Sequence, residues 1–251
     1  MIYERAARRA IGRTIESVAA PDPWFLKGGL DAAAVSATLV GARIEGVDRR
    51  GKLLMLLTDG PVVGLRFGMT GRLMVDGDEP IDELLYSTTQ RRPEYERFTL
   101  GWGDGSLVMI DPRRLGGVEL DPDLGRLGPD AASVSIDELA AALARTGRPL
   151  KAAMLDQSLV AGVGNLICDE TLWRVGISPQ RPAKELERAE VVALARRIRS
   201  TVSMLDRRGG SHLGDLQDER HRGGVCPRDG APLERAEVGG RTTYWCPVHQ
   251  H

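Results

Sequence analysis

Two clusters in this chain have residue types and spacings that could do chemistry. The first closes the sequence: Cys226-Pro-Arg-Asp229, then 16 residues, then Cys246-Pro-Val-His249. With Cys at positions 229 and 249 this would be the C-x2-C…C-x2-C pattern of a zinc site, at a usual spacing. His is an ordinary zinc ligand. Asp can bind zinc through oxygen, although it is uncommon in closed structural sites. The spacing predicts one structural zinc ion on Cys226, Asp229, Cys246 and His249. Asp229 is the position at which water, His221 or His251 could substitute. The alternative is a metal-free hairpin with two buried cysteines. A tail this small builds little core of its own, which favours a metal staple. Gly239-Gly240 would supply the turn between the two half-sites.

The second cluster is Gly162-Val163-Gly164-Asn165, set between two helical stretches. Each glycine costs a helix about 1 kcal/mol relative to Ala, so the pair marks a turn. Asn165 is predicted to N-cap the helix that follows. A helix N-terminus presents N–H groups and the positive end of a dipole, which suits a phosphate. One possible guest is a dinucleotide, since Gly162-x-Gly164 matches the start of its glycine fingerprint. Ile167 stands where the third glycine should be, and a helix rather than a strand precedes the turn, so that reading fails. The other guest is a nucleic-acid backbone gripped by two helices and their turn.

The elements that must position these clusters fall into two halves. Glu4–Ala10 reads as a short helix stopped at Gly12, and Thr14–Val18 as a strand. Asp31–Val40 reads as a capped helix closed by Gly41. Short apolar runs then alternate with turns: Lys52–Leu57, Val62–Phe67, Gly71–Val75, Phe98–Trp102 and Leu107–Ile110. Gly103-Asp104-Gly105 is a hairpin signal. This half is predicted to be a β-sandwich. Leu120–Pro129, rich in Asp, Gly and Pro, reads as a linker. After it the pattern is helical, with a capping box at Ser135-Ile-Asp-Glu138 and a long helix over Pro182–Arg207. Cys168 falls within a predicted helix as a small buried side chain. The expected class is α+β: an N-terminal β-sandwich domain flanked by helices over 1–122, a helical domain over 123–222, and a zinc-finger hairpin over 223–251.

Composition bounds the function. Hydrophobic residues make up 42% and charged residues 27% of 251 residues, as in a soluble globular protein. No apolar run reaches the roughly 18 residues of a membrane span, and the start lacks a secretory signal, so a cytoplasmic protein is expected. Three cysteines do not make a disulfide framework. The net charge of -1 neither suggests nor excludes nucleic acid, because an electrostatic footprint is local.

The stretch LDQSLVAGVGNLICDETLWRVGISPQRPA resembles the helix–two-turn–helix signature of the formamidopyrimidine-DNA glycosylase / endonuclease VIII family of base-excision-repair enzymes. Other motifs follow in the family's order. Arg50-Gly51-Lys52 before a strand is similar to its lysine strand, and Phe67–Leu73 and Asp111–Gly116 to its two DNA-probing loops. Gly240–Cys246 is similar to its zinc-finger arginine hairpin. The resemblance runs through nearly the whole chain. It implies a DNA glycosylase with abasic-site lyase activity, working as a monomer on double-stranded damaged DNA held between the two domains, at the nucleoid in a bacterium. Met69, Arg113 and Leu115 would fill the gap left by a flipped base. The family often has Phe where Leu115 stands, so stacking on the opposite base would be weaker here. Lys52, Asn165 and Arg241 would clamp phosphates.

The chain departs from the family at its start. The family's nucleophile is an N-terminal proline followed by glutamate; this chain begins Met1-Ile2-Tyr3. One expectation is that the natural protein starts upstream and carries Pro-Glu. The other is a non-catalytic binder of lesions, or a weak lyase whose amine is Met1 or Lys52. Glu4 is the early carboxylate on offer, and reads more simply as a charge at a helix N-terminus. The segment from Gly210 to Cys226 is also short for a loop that covers an oxidised purine. On that ground, oxidised pyrimidines or abasic sites are at least equal candidates.

Overall fold

A computed structural model describes residues 1–81, 90 and 92–251. The chain divides into two compact units, Met1–Asp123 and Leu124–His251.

The first unit opens with helix α1 (Ile2–Ala7) and strand β1 (Ser17–Ala19), followed by helix α2 (Ala32–Leu39). Asp31 caps α2 by accepting from the Ala34 N–H at 2.7 Å. Seven strands follow: β2 (Ile44–Arg50), β3 (Leu53–Thr58), β4 (Val63–Arg66), β5 (Arg72–Val75), β6 (Glu96–Trp102), β7 (Gly105–Ile110) and β8 (Gly117–Leu120). They form two antiparallel four-stranded sheets, ordered β1-β6-β7-β5 and β2-β3-β4-β8. Leu54, Leu56, Val63 and Leu65 of one sheet share a core with Leu73, Phe98, Leu100 and Met109 of the other. This is the expected sandwich; β6 alternates buried and half-buried positions, while β3, β4 and β7 are buried almost continuously.

The second unit carries helices α3 (Ile136–Ala144), α4 (Leu150–Leu155), α5 (Asn165–Val175) and α6 (Arg188–Arg208), then strands β9 (Glu234–Val238) and β10 (Arg241–Trp245). The capping box at Ser135 and Glu138 forms as expected. Leu139, Leu143, Leu150, Met154, Cys168, Leu172, Leu194 and Ile198 make its core. No described helix is long and apolar enough to cross a membrane.

Three element readings change. The first strand is Ser17–Ala19, and Thr14 makes only an isolated bridge to Arg43. The long helix starts at Arg188 rather than Pro182. Leu186 and Glu187 are extended, and Glu187 with Glu190 forms a capping box that fixes the true start. Strands β2 and β8, absent from the sequence reading, complete one sheet. Charged residues fill much of β2 because one of its faces is open to solvent.

Candidate nucleic-acid interface and metal centre

In the first unit, two loops carry the expected probe residues. Met69 lies between β4 and β5; Arg113 and Leu115 lie between β7 and β8. All three are exposed, Met69 at 51% and Leu115 at 44%. The loops are fastened together. Asp111, fully buried, accepts from Thr70 Oγ1 of the first loop at 2.5 Å, and from the Arg113 and Gly116 N–H groups of its own loop at 3.1 and 2.7 Å. Gly68, at φ +59, passes so close to Leu115 that a Cβ would sit 2.7 Å from its backbone. Arg114 adopts φ +57 and its guanidinium spans the Asp22 carboxylate with two bonds of 2.6 Å. That bond, first among several causes, holds the Asp22 carboxyl below its ordinary range.

Lys52 is exposed in the two-residue turn between β2 and β3, where Gly51 supplies φ +60. Helix α1 packs on β2, β3 and β5. The Met1 amine at its start lies 3.8 Å from Glu4 Oε2, which also meets Arg49 Nε at 3.5 Å.

In the second unit, α4 and α5 flank the Gly-rich turn. Gln157 latches that turn: its amide donates to the Leu155 and Val163 carbonyls at 2.8 and 3.0 Å and accepts from Gly162 N–H at 2.9 Å. Asn165 is the first residue of α5 and not its cap. Gly164 is the N-cap, and no side chain caps there. Gly164 has no side chain to cap with, and Asn165, already helical, donates through Nδ2 to the Thr242 carbonyl of β10 at 3.2 Å. The α5 N-terminus therefore keeps N–H groups that no side-chain cap occupies.

The same Thr242 carbonyl accepts from Lys151 Nζ at 3.1 Å. Lys151 is buried and paired with buried Asp169 at 2.5 Å; Asp169 also takes Arg220 Nη2 at 2.7 Å. Burial pulls the Lys151 ammonium pKa down, and the Asp169 charge opposes that shift. Breaking such a buried pair typically costs about 3–5 kcal/mol. The result is a bracket from α4 and α5 onto the strand that carries Arg241. The hairpin tip reinforces it: Gly239 and Gly240 have φ +62 and +69, and a Cβ on Gly239 would lie 2.9 Å from Ala152 of α4. Arg241 stands exposed just past that tip.

The four expected metal ligands converge. Their donor atoms all lie within 4.8 Å of one another. Cys226 Sγ is 3.6 Å from His249 Nδ1, and Cys246 Sγ is 3.3 Å from Asp229 Oδ2. Tetrahedral bonds of zinc length would separate ligand atoms by about 3.4–3.8 Å, so the set fits. The surroundings orient it. His249 Nε2 lies 3.1 Å from the Trp173 carbonyl, leaving Nδ1 toward the cluster, and Trp173 Nε1 donates to Cys226 Sγ at 3.3 Å. The Ala231 N–H, then His249, hold the Asp229 carboxyl well below the usual carboxylate range. His221 does not join this group; its Nδ1 lies 3.0 Å from the Arg222 carbonyl.

A family model described as Formamidopyrimidine-DNA glycosylase N-terminal domain matches residues 1–118, and one described as Formamidopyrimidine-DNA glycosylase H2TH domain matches residues 127–213. The chain belongs to the formamidopyrimidine-DNA glycosylase family. A formamidopyrimidine-DNA glycosylase of Thermus thermophilus is 34% identical, covering 96% of this chain and 92% of the relative. That of Moorella thermoacetica is 38% identical over 87% of this chain and 82% of its own length. Among solved structures, a Lactococcus lactis formamidopyrimidine DNA glycosylase non-covalently bound to DNA containing an AP site matches with a TM-score of 0.82. It is 28% identical, and the match covers 99% of this chain and 96% of that one. The two formamidopyrimidine-DNA glycosylase domains fall one in each compact unit.

Several residues around this family's motifs escaped the sequence reading. Lys151 carried a usable signal, a lysine amid the apolar run LKAAML. Asp111 and Arg114 fall within the Asp111–Gly116 motif, but their partners Thr70 and Asp22 carried no signal, since those pairings span 41 and 92 residues.

Proposed function

We propose that this chain is a base-excision-repair DNA glycosylase with abasic-site lyase activity. It binds double-stranded DNA at an oxidised or otherwise damaged base and turns that nucleotide out of the stack. The observation that carries this reading, beyond family membership, is the fastened loop pair with Met69, Arg113 and Leu115 held in solvent. A wedge must be rigid before it meets DNA, because ordering it on binding would consume the energy needed to unstack a base. Asn165 with the α5 N-terminus, Lys52 and Arg241 supply phosphate contacts on three different elements.

The chemistry is amine catalysis. A neutral amine bonds to C1′ of the sugar and the glycosidic bond breaks, its electron pair leaving on the base. The C1′–O4′ bond then breaks, the amine losing a proton and O4′ gaining one, to leave an open-chain Schiff base; loss of a C2′ proton from it expels the 3′ phosphate, a second elimination expels the 5′ phosphate, and hydrolysis frees the amine. In this chain the amine is assigned to Met1 or Lys52. Glu4 beside Met1 is placed to hold the displaced proton.

Zinc is the metal proposed for Cys226, Asp229, Cys246 and His249, where it would hold the hairpin that presents Arg241. Residues 123–222 and 223–251 then act as separate modules, one gripping the backbone and one carrying the arginine. The protein would work as a monomer on the nucleoid, in the cytoplasm. The test is a duplex with one oxidised base, end-labelled and followed on a denaturing gel. Strand nicking at the lesion and none in undamaged duplex is expected. Tight lesion binding without base release would instead make the chain a lesion-recognition protein.

A further inference from the structure

Among the described residues, the reading above leaves one large exposed aromatic unused. Trp24 is 66% exposed, whereas Trp102, Trp173 and Trp245 are 3%, 7% and 6% exposed. It sits in a single helical turn, Pro23–Phe25, capped by Asp22, whose Oδ1 accepts from the Trp24 N–H at 3.1 Å. That same carboxylate holds Arg114 of the second probing loop. The turn is joined to the loop's far end as well. The Lys27 N–H donates to the Val118 carbonyl at 2.8 Å, and a Cβ on Gly116 would lie 3.1 Å from the Phe25 ring. The turn that carries Trp24 is thus fixed to the loop that bears Arg113 and Leu115, at the loop's middle and at its far end.

The surroundings are cationic. Lys27 Nζ lies 5.1 Å from the Trp24 ring centroid and donates to the Trp24 carbonyl at 2.7 Å. An ammonium has three donors, so that bond uses one. Arg113 is exposed beside Leu115. The carboxylates at this place are engaged: Asp22 is buried and paired with Arg114 and with Arg97 at 3.5 Å, and Asp111 is buried and accepts from Thr70, Arg113 and Gly116. An indole with a cation over its ring, continuous with a wedge, matches the pairing of π-face and positive charge that meets nucleic acid.

We infer that Trp24 and Lys27 form a further DNA contact, the indole lying against the sugar or base edge of a nucleotide flanking the wedge and the ammonium against its phosphate. This contact rests on the DNA-glycosylase reading. It would anchor the second probing loop on its outer side, so that Leu115, smaller than an aromatic wedge, is not pushed back when it enters the stack. Trp24 is a positioning and binding residue; it takes no part in the bond changes.

The test uses the full chain and a fluorescein-labelled duplex containing a tetrahydrofuran abasic analogue. Binding is read by anisotropy, and Trp24 by acrylamide quenching of tryptophan emission with unlabelled duplex. Because the other three tryptophans are buried, quenching in the unbound protein reports mainly Trp24. The expected result is that saturating DNA removes most of that quenching and that Trp24→Ala weakens binding about tenfold, within the range of aromatic contacts to nucleic acid. Lys27→Ala should weaken it less and lower the salt dependence by about one phosphate contact. Binding with quenching unchanged and with Trp24→Ala at full affinity would overturn the inference and leave the glycosylase reading standing. No anisotropy change with any duplex would overturn both. Unchanged circular dichroism of Trp24→Ala would separate lost contact from lost fold.

Discussion

One backbone carbonyl, that of Thr242, accepts from Lys151 and from Asn165 and so decides where the neighbouring Arg241 stands. Arg241 itself is exposed, and among the described residues its Nη1 bonds only to the adjacent Gly240 carbonyl, at 3.1 Å. Replacing it should therefore leave the fold intact. Arg241→Ala is expected to weaken binding to lesion duplex about tenfold and to reduce the salt slope by about one, with the metal retained. Filter binding across a salt series checks this; unchanged affinity would remove Arg241 from the interface. Residue types and spacings were enough to single out the Gly-rich turn before Asn165 and the four residues Cys226, Asp229, Cys246 and His249 that the fold brings together, because each set belongs to a compact motif, whereas Arg241 entered through the family resemblance. They were not enough to find the carboxylates that fasten the two loops. Asp111 opens the Asp111–Gly116 motif in sequence, and only the approach of Thr70 turns it into a link between two loops.

At the scale of elements, the turn from Asp156 to Gly164 determines how α5 points its N-terminus. Asp156 organises the start of that turn, accepting from Ser158 Oγ at 2.6 Å, the Ser158 N–H at 2.9 Å and Arg148 at 2.8 Å. The Ser158 hydroxyl, then Arg148, lower its pKa from 3.8 to about 2. A carboxyl held low in the folded state adds stability above its unfolded value, and loses it as pH falls through the folded one. Stability from this group is thus full above about pH 4 and lost toward about pH 2. Asp156→Asn should lower stability at neutral pH and flatten the pH dependence of urea midpoints in that window; a wild-type slope in the variant would contradict the assignment. Capped helices were legible here, since a cap is local: Asp31 and the Ser135–Glu138 box both form. Strand β2 was not, because its charged residues line a solvent face and its pairing with β3 is a tertiary fact.

At the scale of the whole molecule, each unit has its own core, and the metal cluster belongs to the second. Trp173, Leu216, Cys226 and Cys246 form a small satellite cluster there, too little apolar material to hold a hairpin alone. Chelation is therefore predicted to loosen β9 and β10 and to abolish DNA binding, while the sandwich of the first unit stays folded. Near-ultraviolet circular dichroism would report this through Trp173 and Trp245, and added zinc should restore the signal. A spectrum unmoved by a strong chelator would mean that no metal supports the hairpin. The order of sandwich, helical region and hairpin was legible because apolar periodicity changes from strands to helices near the linker. The most direct test of the amine chemistry is borohydride trapping on duplex DNA with a single abasic site. The account predicts a covalent protein–DNA adduct, with peptide mapping to Met1 or Lys52. No adduct, under conditions where the same duplex is bound tightly, would contradict it.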